Sequence, residues 1–201
     1  MLVSGIKSRP VYKGLSADPH ARRNIICAEA EGVDAVADMV ANAPGGLMAK
    51  STVLYTARAA SGPTSASKLA GLKPDVLTVF PTNATLLVRL DGLLGNAAMG
   101  TRLYITGTEG FIGQCMQIAL RHGIDQASVR TEHRGSEMRR VQCVHCKGIT
   151  ENVVTSPVKC THCGLNLLVR DHYSRRIGAF QGVCVDAEAP GEVPATEEKF
   201  L

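Results

Sequence analysis

Tryptophan is absent from this 201-residue chain, and phenylalanine and tyrosine keep the aromatic content at 4%. A platform that stacks nucleic-acid bases on aromatic rings is not what such a composition builds. Long apolar runs are missing as well. The longest uncharged stretch, residues 76–88, is interrupted by Pro81 and Asn83 and is shorter than the ~18 residues that a membrane-spanning helix needs. The first ten residues, MLVSGIKSRP, lack the apolar core of a secretory signal, so the expected location is the cytoplasm, with reduced thiols and no membrane contact. Nor is there a strong charge of one sign: the net charge is +4. That small sum hides an asymmetry, because Asp186, Glu188, Glu192, Glu197 and Glu198 against Lys199 give the last 16 residues −4 and leave +8 on residues 1–185. The basic residues are scattered and form no stripe, which argues against nucleic acid as a partner.

What is present is an ordinary globular composition, 45% hydrophobic and 20% charged, enough for one domain or two small ones. Residues 1–23 are polar and read as an extended lead-in. Residues 24–28 (NIICA) suit a buried strand, and Val33, Val36, Ala37, Val40 and Ala41 share one helical face until Pro44-Gly45-Gly46. Residues 51–56 (STVLYT) form the next strand, and residues 60–67, with Ser61-Gly62-Pro63, read as loop. A strand over residues 76–80, a helix over 85–94, a strand over 100–106, a helix over 111–123 and a short strand over 126–131 follow. Strands alternating with helices predict an α/β fold with a parallel sheet and crossover helices. Residues 134–142 (RGSEMRRVQ) are a charged linker, which sets the domains at 24–136 and 137–185, with residues 186–201 as a flexible acidic tail.

The strongest signal is cysteine spacing. Cys143 and Cys146, then Cys160 and Cys163, form two C-x2-C pairs separated by thirteen residues. Two residues between thiols let a tight turn aim both sulfurs at one tetrahedral metal, and a hairpin brings the second pair opposite the first. Gly164 directly after Cys163 suits a turn that needs positive φ. The thirteen residues between the pairs suit two strands joined by a turn. Zinc is the first choice of metal, and one iron in the same cage is the alternative. His145 and His162 are read as outside the ligand set, and Cys27 and Cys115 as small buried hydrophobes.

Three stretches of the first domain resemble the nicotinamide-nucleotide domain of the ferredoxin reductase family, phthalate-dioxygenase-reductase branch. Residues 25–39 sit where that family has a strand, a glycine-rich phosphate turn and a helix. Residues 51–58 (STVLYTAR) are similar to its strand ending in Y-x-x-R, and residues 104–135 to its C-G-P strand, turn and helix with a terminal strand ending in Glu. The phosphate turn here reads Glu29-Ala30-Glu31-Gly32-Val33-Asp34, placing three carboxylates where an anion would sit, and Thr106 replaces the C-G-P cysteine. Like charges about 4 Å apart repel by several kcal/mol near a protein surface. The expectation is a degenerate NAD(P) domain that keeps the fold without the cofactor.

Residues 143–183, with C-x2-C-G-L followed by V-R-D-H-Y-S-R-R, G-A-F and G-V, resemble the C-terminal part of the small subunit of bacterial dimethylamine monooxygenase, and residues 6–12 (IKSRPVY) also look familial. The resemblance implies an accessory subunit, supporting assembly or electron transfer between reductase and haem subunits, of a hetero-oligomeric, NADPH-dependent enzyme that converts dimethylamine to methylamine and formaldehyde. Haem, FMN and a 2Fe-2S cluster are then expected in partner subunits, a haem-containing catalytic subunit and a flavin/iron–sulfur reductase, and no catalytic residue is expected in this chain. Arg170, Asp171, His172, Tyr173, Arg175 and Arg176 are candidates for the subunit interface, because planar guanidinium forks beside a tyrosine favour interfaces and anionic ligands. The competing reading is an internal salt-bridge network in which Asp171 pairs with Arg170 or Arg175. A general-base role for the Asp-His pair finds no matching nucleophile. Two other functions stay open on the residues: a stand-alone rubredoxin-like electron carrier, and a zinc-ribbon module binding nucleic acid.

Overall fold

The computed structural model describes residues 8–57 and 63–201. Arg58, Ser61, Gly62 and the Ile6-Lys7 pair of the opening motif lie outside the described residues. The chain divides into two compact units, Tyr12–Gly135 on one side and Met1–Val11 with Ser136–Leu201 on the other.

The first unit is a five-stranded parallel sheet with helices on both faces. Its elements are β1 (Arg23–Glu29), α1 (Gly32–Ala41), β2 (Ser51–Thr56), α2 (Pro63–Gly71), β3 (Val76–Phe80), α3 (Asn83–Gly95), β4 (Thr101–Gly107), α4 (Glu109–Arg121) and β5 (Val129–His133). The strand order is β3-β2-β1-β4-β5, with every neighbouring pair parallel. Strand alternation explains the two cores. Ile25, Cys27, Leu54, Leu103 and Ile105 point to one face and pack against Leu86 and Leu90 of α3 and Phe111, Ile112 and Cys115 of α4. Ile26, Ala28, Val53, Tyr55 and Tyr104 point to the other and pack against Val33, Val36 and Met39 of α1 and Leu69 of α2. Cys27 and Cys115 are both fully buried in the first of these cores.

Two sequence expectations need correction here. Residues 63–67 are not loop but the start of α2. Proline is tolerated at a first helical position, and Leu69, fully buried, gives that helix its anchor in the core. The lead-in of residues 1–23 is also not one extension. Residues 8–11 belong to the second unit and residues 12–22 to the first, where Leu15 and Ala17 pack on the α1 face of the sheet. There the Asp18 N–H donates to the Tyr104 hydroxyl at 2.9 Å, and the Asp18 carboxylate pairs with Arg102.

Among its described residues the second unit is built on strands alone: β6 (Arg139–Cys143), β7 (Ile149–Val153), β8 (Thr155–Ser156), β9 (Val158–Lys159), β10 (Asn166–Ser174), β11 (Ala179–Cys184) and β12 (Glu197–Glu198). The main sheet runs β7-β6-β11-β10-β9, and β12 pairs with β8. Its core holds Val141, Cys143, Val153, Cys160, Leu167, Val169, Phe180 and Phe200. The residues between the cysteine pairs do not form a hairpin with each other. Instead β7 pairs with β6 and β9 with β10, so each cysteine pair caps its own hairpin. The segment expected to be a flexible tail is anchored at its end. The Lys199 and Phe200 N–H groups both donate to the Val154 carbonyl, and Phe200 is 5% exposed, because burying that ring against the ribbon core offsets the ordering of a polar segment.

Candidate metal centre

Each C-x2-C pair sits in a turn of the same design. In the first, the Cys143 N–H donates to the Gly148 carbonyl and the Lys147 N–H to the Cys143 carbonyl; in the second, Cys160 N–H donates to Leu165 and Gly164 N–H to Cys160. The residue four after the leading cysteine takes positive φ in both, Lys147 at 63° and Gly164 at 79°. The sequence signals this only where glycine stands, since a lysine gives no hint of a left-handed backbone.

These turns bring all four sulfurs within 4.8 Å of one another. Cys143 and Cys163 have Sγ atoms 3.8 Å apart, and Cys146 and Cys160 3.7 Å. A disulfide needs about 2.05 Å, so no pair is bonded. A tetrahedron with metal–sulfur bonds of ~2.3 Å has edges of about 3.8 Å. The measured separations are those of a tetrathiolate cage, and the four cysteines are all suited to hold one metal ion. Cys143 and Cys160 are buried and Cys163 is exposed. Burial pushes the Cys160 thiol up, but the backbone amides of Cys163 and His162 and the thiols of Cys163 and Cys146 outweigh it, lowering Cys160 to about 6. At Cys163 the Leu165 amide acts to lower the thiol, yet burial and the three other sulfurs push it up to about 12. The two thiols move in opposite directions, as expected of groups that share one space.

Contacts outside the ligand set hold the two turns together. His162 Nε2 donates to the Ile149 carbonyl at 3.0 Å; a carbonyl only accepts, so this nitrogen carries the proton. The Thr161 N–H donates to Thr150 Oγ1 at 3.2 Å. His145 is exposed.

Of the interface candidates, Asp171 and Tyr173 turn inward while His172, Arg175 and Arg176 are exposed. The pairing expected for Asp171 is corrected. Its ion-pair partners among the described residues are Arg139 at 2.7 Å and Arg9 at 3.1 Å. Burial acts to raise the Asp171 carboxyl, but the two guanidinium groups outweigh it and hold it below its ordinary value. Arg139, expected within a linker, is buried with its guanidinium 4.0 Å from the ring centres of both Phe180 and Phe200. Tyr173 meets Phe180 edge-on at 5.1 Å. No local pattern in the sequence points to this node, because its members lie far apart along the chain.

The acidic turn of the first unit is arranged differently from the expectation. The three carboxylates do not converge on one point. Glu31 is exposed at the start of α1, and Asp34 pairs with Lys68 of α2 at 2.6 Å on the surface. Glu29 follows the alternation of Ile25 and Cys27 and turns inward, 1% exposed. Its carboxylate accepts from Asn83 Nδ2 at 2.7 Å and from the Thr108 N–H at 2.9 Å and hydroxyl. Gly32 packs against the end of β4 so closely that a Cβ there would lie 2.7 Å from the Thr106 carbonyl oxygen. Among the described residues, no helix is long and apolar enough to cross a membrane.

Comparison with known proteins adds the family. The curated delta subunit of heme-dependent oxidative N-demethylase from Ectopseudomonas mendocina (strain ymp) is 36% identical over 113 residues, which span 55% of this chain and 63% of that protein. Among solved structures, a ferredoxin reductase in carbazole 1,9a-dioxygenase matches 60% of this chain and 40% of its own, at 12% identity and a TM-score of 0.46. The flavohem-like FAD/NAD binding domain of nitric oxide dioxygenase from Vibrio cholerae O1 biovar El Tor matches 61% and 55%, at 17% identity and a TM-score of 0.40. Likenesses that distant carry no argument beyond the topology already described. Two family models match consecutive parts of the sequence, residues 4–129 and 140–183. The chain belongs to the family described as dimethylamine monooxygenase subunit DmmA-like, of which it carries both the N-terminal and the C-terminal domain.

Proposed function

We propose that this chain is an accessory, non-catalytic subunit of a hetero-oligomeric, NADPH-dependent monooxygenase that oxidatively demethylates dimethylamine to methylamine and formaldehyde. The observation that carries this reading is the family match across both domains. The relative named as a delta subunit supports a multi-subunit setting. The partners are a haem-containing catalytic subunit and a reductase with FMN and a 2Fe-2S cluster, and the chain supports their assembly in the cytoplasm. Arg170, His172, Arg175 and Arg176 are the side chains through which the ribbon would meet a partner.

Cys143, Cys146, Cys160 and Cys163 would hold zinc, which has no redox chemistry and would brace the two hairpins. The same cage suits a single iron, and this keeps a second reading in view: a rubredoxin-like electron carrier, in which the metal itself would pass one electron. Metal analysis of the purified chain, together with reconstitution of the complex with and without it, tests both. One zinc per chain, no visible colour, no amine oxidation by the chain alone and loss of assembly when it is omitted are expected. A red protein that bleaches with dithionite selects the electron carrier, and dimethylamine turnover by the isolated chain overturns both readings.

A further inference from the structure

An open parallel sheet binds ligands outside the carboxyl ends of its strands, where the chain leaves neighbouring strands for opposite faces. In this protein that point lies between β1, which leads to α1 on one face, and β4, which leads to α4 on the other. Helix N-termini there present unpaired N–H groups and positive dipole ends, the equipment that holds a phosphate or carboxylate.

That place is already taken by the protein's own side chain. Glu29 ends β1, and its carboxylate reaches Asn83, the first residue of α3, and Thr108, the residue that caps α4. Both helices are 13 residues long, so each contributes a full positive end. The backbone is shaped around this carboxylate. Gly107 has φ of 143°, and a Cβ there would come within 2.6 Å of Glu29 Cβ. The approach from outside is closed too. Gly32 seats α1 directly on Thr106. Tyr12 stacks on His133 with ring centres 5.9 Å apart and donates its hydroxyl to Glu109 at 3.1 Å, and the Leu15 N–H donates to Glu132 at 2.7 Å. Residues 12–15 thus lie across the carboxyl ends of β4 and β5.

We infer that Glu29 is the built-in ligand of this edge: an anion supplied by the chain and seated on donors at the starts of α3 and α4, in the crevice where an open parallel sheet takes its ligands. The NAD(P) group that the resemblance of this fold suggests does not fit the residues present. The reason lies in the buried carboxylate, 1% exposed, which already takes up the donors. The unit is a self-liganded scaffold whose anion cannot dissociate. Assembly with partner subunits is a separate matter, on which this role of Glu29 does not depend.

Thermal unfolding of the full chain as wild type, Glu29→Gln and Glu29→Ala tests it, with NADPH, inorganic pyrophosphate and sodium acetate as probes at millimolar concentration. The wild type should not shift with any of them. Glu29→Ala should melt lower by about 5–10 °C and recover part of that loss with acetate or pyrophosphate, which refill the vacated space. Glu29→Gln should melt lower and show no recovery, because its amide fills the space but has a single oxygen, so its NH2 faces either Asn83 or the two Thr108 donors without accepting from them. Stabilisation of the wild type by NADPH overturns the inference, as does a Glu29→Ala variant that melts like wild type or that folds and recovers with no anion. If Glu29→Ala does not fold, Glu29→Gln decides: a melting point equal to wild type refutes the role of the carboxylate.

Discussion

The imidazole of His162 lies across Gly148, so close that a Cβ on Gly148 would sit 2.4 Å from the ring. One residue belongs to the second cysteine turn and the other to the first. The contact therefore aligns the two halves of the cage independently of any metal, and the bond from His162 to Ile149 locks it.

Replacing Gly148 with alanine should force the imidazole off its seat. Overpacking of this kind costs about 1–3 kcal/mol, and the cost should fall on metal retention. Competition against a chelator should show Gly148→Ala releasing its metal more readily than wild type. His162→Ala should lose retention as well, and the double variant should be little worse than either, since both remove one contact. Full additivity would show that the residues do not act together.

Lys147 offers the opposite experiment. It holds φ of 63° at the position where the other turn has Gly164, and a non-glycine residue there costs on the order of 1–2 kcal/mol. Its ammonium also donates to the Val144 carbonyl at 2.6 Å, which recovers part of that. Lys147→Gly should leave stability unchanged or raise it by up to about 1 kcal/mol, whereas Gly164→Lys should lower it. Thermal melts of the metal-loaded chain decide, and a clear loss in Lys147→Gly would contradict the backbone reading.

Asp171 should contribute to acid stability. Its carboxyl is lower in the folded protein than in the unfolded chain, so its contribution is complete above about pH 4 and is lost as pH falls through the folded value. Asp171→Asn should reduce stability at neutral pH by about 3 kcal/mol, because Arg139 remains buried without a carboxylate, and should flatten the fall in stability below about pH 4. Denaturant unfolding across roughly pH 3–7 measures both. An unchanged acid limb would mean that Asp171 is not the carboxylate that matters.

Gly32 should not tolerate a side chain. Alanine there meets the Thr106 backbone at 2.7 Å, and neither α1 nor β4 can give way without disturbing the core between them. We expect Gly32→Ala to lower stability by about 2 kcal/mol or more, while Gly92→Ala, which meets nothing within 4 Å, should be neutral or slightly stabilising. Circular dichroism melts of the two variants make the comparison.

Features held by neighbours along the chain are legible in the sequence alone. The cysteine cage rests on two-residue spacings, and the helix of Phe111, Ile112 and Cys115 on a repeat every three or four residues. The illegible features join residues far apart. Arg139 reads as linker until Asp171, Phe180 and Phe200 close around it, and Phe200 reads as tail until its backbone meets Val154. Glu29 is obscured for a different reason. The turn residues Glu31 and Asp34 invite a surface reading, although the period of two running through Ile25 and Cys27 already places Glu29 on an inward face. Helix α2 is hidden because its first turn holds the polar and small residues that usually mark loops, leaving Leu69 as its single large anchor.

The second unit is assembled from both ends of the sequence, with Ser8 bonded to the backbone of Asp171 and Tyr173 and the whole first unit inserted between them. On a ribosome Ser8 must then wait for a strand made 165 residues later. The inserted unit has its five strands and four helices once residue 135 has emerged, and it can fold during that wait. The metal turns come next, and the contact of Phe200 on Arg139 forms only after both of them have been made, so the order of synthesis sets the order in which the two units reach their final form.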